Sequence, residues 1–328
     1  MEKIRWGILG TGRIAGDFAT GLGAEEDAEV VAVGSRAQAT ADAFGQRFDI
    51  PNRHPTYDAL AADPDVEIIY VATPHPLHKE NTIACLRAGK AVLCEKPFAM
   101  NSGEVQEMID CARAHDRFLM EAMWTRFLPH IQEMKRRIDE GQIGDIRLIL
   151  ADFCYRAELD PEKRTFNPAL GGGALLDIGV YPIALACHLL GEPARIVSLA
   201  HLGVTEVDEQ VGILFQYDDG ALAVMSAAIR ANTPHSLVIS GTEGEIVANE
   251  GWWRPSGFTI SRDGHAPETV RPDIVGNGWN YQARECGRCL RQGLTEHPLM
   301  PLDESLAITR LMDGLRAEWG LRYPMETA

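Results

Sequence analysis

A tight glycine turn, Gly10-Thr11-Gly12-Arg13-Ile14-Ala15, stands near the start of the chain and constrains its fold more than any other feature. An apolar run, Ile4 to Leu9, precedes it, and Gly16 to Leu22 follows with the texture of opening helical turns. Strand, Gly-x-Gly-x-x-Ala turn and helix N-terminus, in that order, form a dinucleotide-binding fingerprint. Gly10 permits the turn, Gly12 lets backbone approach a diphosphate, and Ala15 keeps helix and strand close. The free N–H groups of Thr11 to Ile14 and the positive end of the helix dipole then favour an anion.

The second apolar strand, Glu29 to Gly34, ends where a partner of the adenosine ribose belongs. An acid there would accept hydrogen bonds from the ribose hydroxyls; this chain instead has Ser35-Arg36. A hydroxyl followed by a guanidinium suits a 2′-phosphate, which an acid would repel. The sequence therefore predicts NADP rather than NAD.

The 328 residues suggest two domains, and 45% hydrophobic with 24% charged residues describes an ordinary globular chain. A net charge of −16 argues against nucleic-acid or anionic-membrane partners, which need a basic surface. No apolar run of membrane-spanning length stands out, and the first strand leaves no room for a signal peptide. Cys85, Cys94, Cys111, Cys154, Cys187, Cys286 and Cys289 form no disulfide framework, so a cytoplasmic setting is expected. Cys286-x-x-Cys289 has no second ligand pair, and no metal is expected.

Strand and helix patterns alternate through residues 1–122, as a doubly wound parallel sheet requires. Residues 123–328 carry successive short strands joined by hairpin turns, such as Asp218-Asp219-Gly220, with one long apolar helix over 174–190. The pattern predicts an N-terminal Rossmann domain and a C-terminal α+β domain on a large, mostly antiparallel open sheet. A last helix, near 303–320, is expected to pack back on the first domain. The long helix should cover one face of that sheet, and the other then needs a cover, for which a second copy of the chain is the expectation.

Three local signals carry chemistry. Glu95-Lys96-Pro97 ends an apolar strand, on the edge where open α/β sheets bind ligands, and its ammonium can stabilise an anion or lower a neighbour's pKa. Asp177 and Tyr181, four residues apart after Gly171-Gly172-Gly173, share a helix face. Tyr181 is a candidate general base, given a cation to lower its pKa near 10. Thr73-Pro74-His75 and His78, on the same edge as Lys96, suggest contacts to the cofactor. His188 is expected to be structural.

In order, these segments resemble the Gfo/Idh/MocA oxidoreductase family across essentially the whole chain. Glu121-Ala122-Met123-Trp124-Thr125-Arg126-Phe127-Leu128-Pro129 is most similar to the dihydrodiol and NADP-dependent xylose dehydrogenases within it. The resemblance implies Lys96 and Tyr181 as the catalytic pair, with Asp177 as a lysine or substrate partner. It places Gly10, Thr11, Gly12, Arg13, Ile14, Ser35, Arg36, Thr73, Pro74, His75, His78, Glu95 and Lys96 at the cofactor. Trp124, Arg147, Phe153, Asp177 and Trp253 would form the substrate pocket. The implied activity is hydride transfer between NADP and a carbinol carbon of a cyclic polyol, an aldose such as D-xylose, or a trans-dihydrodiol, by a homodimer. The alternatives are a sugar oxidoreductase or anhydrosugar reductase with tightly bound NADP, and a non-catalytic NADP-binding regulator.

Overall fold

Short apolar runs at the start of the chain are too hydrophobic to alternate, and they pair as a parallel sheet buried on both faces. The computed structural model describes residues 2–326. Its first part runs β1 (Ile4–Leu9), α1 (Arg13–Leu22), β2 (Ala28–Gly34), α2 (Gln38–Arg47), β3 (Asn52–His54), α3 (Tyr57–Ala61), β4 (Ile68–Val71), α4 (His78–Arg87), β5 (Ala91–Glu95), α5 (Ser102–Ala114) and β6 (Leu119–Ala122). The strands lie in the order β3-β2-β1-β4-β5-β6, every pair parallel. That order reverses between β1 and β4, so the carboxyl ends of β1, β4 and β5 flank the switch point where such sheets bind ligands.

The second part contains α6 (Pro129–Asp139), β7 (Ile146–Cys154), α7 (Val180–Leu190) and the strands β8 (Arg195–Leu202), β9 (Asp208–Gln216), β10 (Leu222–Ala228), β11 (Leu237–Gly241), β12 (Gly244–Ala248), β13 (Phe258–Arg262) and β14 (Glu268–Val270). Its eight strands run β14-β13-β12-β11-β7-β10-β9-β8, antiparallel except where β10 meets β7. Two helices follow, α8 (Trp279–Arg291) and α9 (Leu302–Trp319). Both sheets have the predicted character. The sequence missed β3 and β14, whose three residues each are too few to show a period.

The chain groups into two units, 1–124 with 275–309, and 125–274 with 310–328. Residues 275–309 fall within the 123–328 span expected as the second domain, of which the last helix was expected to pack back on the first; side-chain contacts explain why they join the first unit. The side chain of Asn280 donates to Glu25 at 2.9 Å, and Arg284 grips both oxygens of that carboxylate at 2.9 Å. Gly21 of α1 makes the close approach possible, since a Cβ there would meet the Asn280 nitrogen at 3.1 Å. Leu302 and Leu306, in the first turns of α9, belong to the core cluster beneath β1, β4 and β5.

In the second unit, one face of the large sheet is buried, with Ile149, Ile213, Phe215, Met225, Leu237, Ile239, Ile246 and Ile260 pointing inward. The other face carries a row fixed by register: Val197, Leu214, Val224, Leu150, Val238 and Val247 lie side by side across six strands. Leu199 beside this row is 80% exposed. One correction concerns length. The segment Pro168–Leu190 is 23 residues of sufficient apolarity to cross a bilayer by length and composition alone, against expectation. Its most apolar window is 83% buried, as in the core helix of a globular unit. Short turns, Gly171-Gly172-Gly173 and α7 together make up the run, which is why no single apolar stretch reveals it.

Candidate active site

In the first unit, the glycine turn has the geometry its residues dictate. Gly10 adopts φ 109°, and a Cβ there would strike the Ala72 carbonyl oxygen at 2.8 Å. Only glycine tolerates both conditions. A Cβ on Gly12 would meet nothing within 4 Å among the described residues, so open space lies before the N-terminus of α1. Among the described residues no side chain caps that helix, and its first turn holds no acid, which leaves its amides and dipole for an anion. Thr11 and Ile14 are half-buried and Arg13 is exposed, while Ala15 is fully buried against the sheet. These residues fit the diphosphate of a dinucleotide.

At the end of β2, Ser35 is buried and Arg36 is exposed. Thr40 Oγ1 donates to the Ala37 carbonyl at 2.8 Å, so the 2.6 Å bond between the Ser35 and Thr40 hydroxyls is donated by Ser35. Arg36 is thereby the group of the pair that offers donors outward.

The loops after β4 and β5 are joined by His78. Its ring is fully buried, with Nδ1 at 2.8 Å from the Pro97 carbonyl oxygen and Nε2 at 2.9 Å from that of Thr73. His78 thus holds backbone to backbone and does not present its ring to a ligand, contrary to the sequence expectation. Thr73, Pro74 and His75 remain on the crevice edge, with Thr73 and His75 buried. Glu95 is also buried; it accepts the Tyr70 hydroxyl and, at 3.2 Å, the Lys96 backbone N–H. Within residues 91–100, Lys96 alone is not buried. The strand end therefore carries one half-buried lysine among buried neighbours. Trp124, also in this unit, stacks on Trp279 with ring centroids 4.0 Å apart at 11°.

In the second unit, the site residues gather where the glycine run enters α7. Asp177 lies in a π-helical turn, Leu175–Gly179, and Tyr181 in the first turn of the α-helix that follows. Such turns are uncommon and recur at functional positions. Asp177 Oδ2 accepts the Tyr155 hydroxyl at 2.8 Å and Oδ1 accepts Arg164 Nη2 at 3.0 Å. Burial, then the Asp177 charge, pushes the Tyr155 phenol well above its ordinary range, so it stays a donor. Phe153 packs 5.4 Å from the Tyr181 ring and stacks on Trp253 at 3.5 Å and 15°. His235 closes this aromatic wall edge-on, 4.6 Å from Trp253. The arrangement combines a phenol, a carboxylate held from both sides, and a flat apolar wall.

The structure therefore brings Asp177, Tyr181, Phe153 and Trp253 together. It does not bring Arg147, which sits on the same strand as Phe153 but about 20 Å away at the strand's rise per residue. Arg147 is exposed and bonds the Asp219 carbonyl at 2.9 Å and Asp145 at 3.1 Å. Tyr155, Arg164 and His235 were missed. Alternation along β7 puts Tyr155 on the face of Phe153 and could have found it; Arg164 and His235 lie in loops without a periodic signal. The Cys286 and Cys289 thiols are buried and pushed up by that burial, Cys289 to about 11, which leaves them unreactive.

Comparison with known proteins shows the family of the chain. A family model described as an oxidoreductase family with an NAD-binding Rossmann fold, GFO/IDH/MocA, matches residues 4–123. A GFO/IDH/MocA C-terminal domain model matches residues 131–247. A trans-1,2-dihydrobenzene-1,2-diol dehydrogenase of Mus musculus is 37% identical, covering 98% of this chain and 99% of the relative. Among solved structures, an aldose-aldose oxidoreductase from Caulobacter crescentus complexed with glycerol superposes with a TM-score of 0.88 at 26% identity, over 96% of this chain and 97% of the other. A 3-ketoreductase from Actinomadura kijaniata in complex with NADP and TDP-benzene does so with 0.86 at 29% identity, over 96% and 98%.

Proposed function

The chain belongs to the Gfo/Idh/MocA oxidoreductase family and is a dehydrogenase with a nicotinamide cofactor; from that premise we propose NADP as the cofactor and a cyclic vicinal diol as the substrate. Either a trans-dihydrodiol or a pyranose aldose such as D-xylose fits this class. The observation that carries the reading is the Asp177–Tyr181 cluster set against the Phe153/Trp253 wall. A ring with a flat carbon face packs on such a wall, while its hydroxyls meet a carboxylate and a phenol.

In this mechanism Tyr181 takes the carbinol proton during oxidation and returns it during reduction. Lys96 has the role of an ammonium that favours the phenolate and orients the reacting oxygen. Asp177, held by Tyr155 and Arg164, accepts a second substrate hydroxyl. The nicotinamide, when bound, accepts or supplies the hydride. Thr11 to Ile14 would hold its diphosphate and Arg36 its 2′-phosphate.

The test follows NADPH absorbance with aldoses, inositols and trans-dihydrodiols, each offered with NADP and with NAD. Turnover with a vicinal diol and NADP is the expected result; turnover only with acyclic alcohols would overturn the substrate class. The likeness to an aldose-aldose oxidoreductase supports a second reading, in which NADP stays bound between two half-reactions. NADP absorbance retained by the purified protein would favour that reading.

The apolar row on the open sheet face supports a homodimer joined sheet to sheet. Val224 lies mid-row, between Leu214 and Leu150. Sedimentation at micromolar concentration should show a dimer, and Val224→Glu a monomer, because a carboxylate buried there lacks a partner. A wild-type monomer would refute the dimer.

A further inference from the structure

Gly173, the last glycine of the run before the π-helical turn, has its explanation in a buried carboxyl that the mechanism does not use. Asp208, the first residue of β9, is fully buried. Its Oδ2 accepts the Leu175 backbone N–H at 2.6 Å, the amide that opens the turn holding Asp177. Its Oδ1 has no hydrogen-bond partner among the described residues, and a Cβ added at Gly173 would lie 2.1 Å from it. Gly173 also has φ 115°, so glycine is required there twice over. Gly172 is constrained by space alone: a Cβ would meet the Arg164 and Thr165 carbonyl oxygens at 2.7 and 2.8 Å. Its own carbonyl accepts the Tyr323 hydroxyl at 2.6 Å. The backbone entering α7 is thus clamped from β9 on one side and from the C-terminal segment on the other.

We propose that Asp208 is a positioning residue, whose carboxyl sets where the π-helical turn begins and so where Asp177 and Tyr181 stand. The proposal rests on the roles given to those two residues above. Asp208 touches neither of the groups that meet substrate in that reading; it acts through the Leu175 amide.

The same geometry implies a dependence on pH. Burial pushes the Asp208 carboxyl up to about 7, against the backbone N–H bonds and the Arg316 charge that favour ionisation. The groups facing it are Arg316 of α9, itself paired with Glu326 at 2.9 Å and Asp313 at 2.7 Å, and the Tyr323 phenol, which burial raises further. A carboxyl with a folded-state pKa above its unfolded one binds more protons when folded, so ionising it lowers global stability as pH rises from about 4 to about 7. The Leu175 bond changes in the opposite sense, because an ionised acceptor holds an amide more strongly. Protection of the turn should therefore rise as pH passes through 7, relative to intrinsic amide exchange.

Hydrogen–deuterium exchange on the full chain tests this without any turnover, so it stays readable whatever the substrate proves to be. Asp208→Ala should speed exchange in residues 172–183 by roughly tenfold or more, the scale of one lost buried partner, with α8 unchanged. Asp208→Asn keeps an acceptor oxygen, so it should restore protection and abolish its pH dependence between pH 6 and 8. With a working substrate, Asp208→Ala should lower kcat more than it raises KM, and Asp208→Asn should recover kcat. Unchanged exchange in Asp208→Ala overturns the proposal. Should that variant fail to fold, Asp208→Asn decides: pH dependence that persists overturns it, and dependence that vanishes supports it.

Discussion

Replacing Tyr181 with Phe is expected to lower kcat by about 10²-fold or more, the scale on which a positioned acid or base assists proton transfer. The ring keeps its place, 5.4 Å from Phe153 and 7% exposed, so the variant retains the aromatic packing of the site. Only the hydroxyl is lost, and kcat and kcat/KM should fall together because the missing interaction belongs to the transition state. Tyr155 is the internal comparison. Its hydroxyl is committed to Asp177 at 2.8 Å and its phenol is raised by burial, so it cannot serve as a base near neutral pH. Tyr155→Phe should act instead through the orientation of Asp177, with a smaller loss in kcat that leaves the pH profile in place. Steady-state kinetics of the two variants on one substrate separate the roles. Wild-type turnover in Tyr181→Phe would remove Tyr181 from the mechanism.

The legible parts of this chain were those where one residue type has one physical use. Gly10 and Gly12 mark the turn because a Cβ at Gly10 would strike backbone and one at Gly12 would fill the open approach. Lys96 was visible because it ends a buried strand, and in the structure it alone escapes burial there. The second sheet was visible from alternation, which also foretold its bare face.

What escaped the reading depends on neighbours far along the chain. Three acceptors on the Glu25 and Asp17 side draw α8 to α1, and no local pattern in 279–291 names that partner. Four-residue spacing placed Asp177 and Tyr181 on a common face, but it could not reveal that a π-helical turn intervenes, since that turn is set by Asp208 from another strand. His78 looked like a cofactor contact because of where it stands; its two backbone acceptors, which bury the ring, belong to separate loops. Arg147 shares a strand with Phe153, but six residues of extended chain separate two ends of a sheet.

Exchanging Ser35-Arg36 for Asp-Ala is expected to invert the cofactor preference. With Ser35 donating to Thr40, the guanidinium of Arg36 supplies the outward donors, so Arg36→Ala alone should cost most of the NADP affinity and Ser35→Ala little. Each charge-assisted hydrogen bond lost is worth about 1.5–3 kcal/mol, and a bidentate grip therefore sets a loss of about 10²- to 10⁴-fold in kcat/KM for NADP. The aspartate adds two further effects of opposite sign: it accepts from ribose hydroxyls and repels a 2′-phosphate. NAD should gain while NADP loses, so the ratio of their kcat/KM values should change by more than either value alone. Added salt weakens the grip of an exposed guanidinium on phosphate, so the wild-type preference for NADP should narrow with ionic strength while that of the variant does not. Retained NADP preference in the double variant would show that the 2′-phosphate is held elsewhere, and the assignment of Arg36 would fall with it.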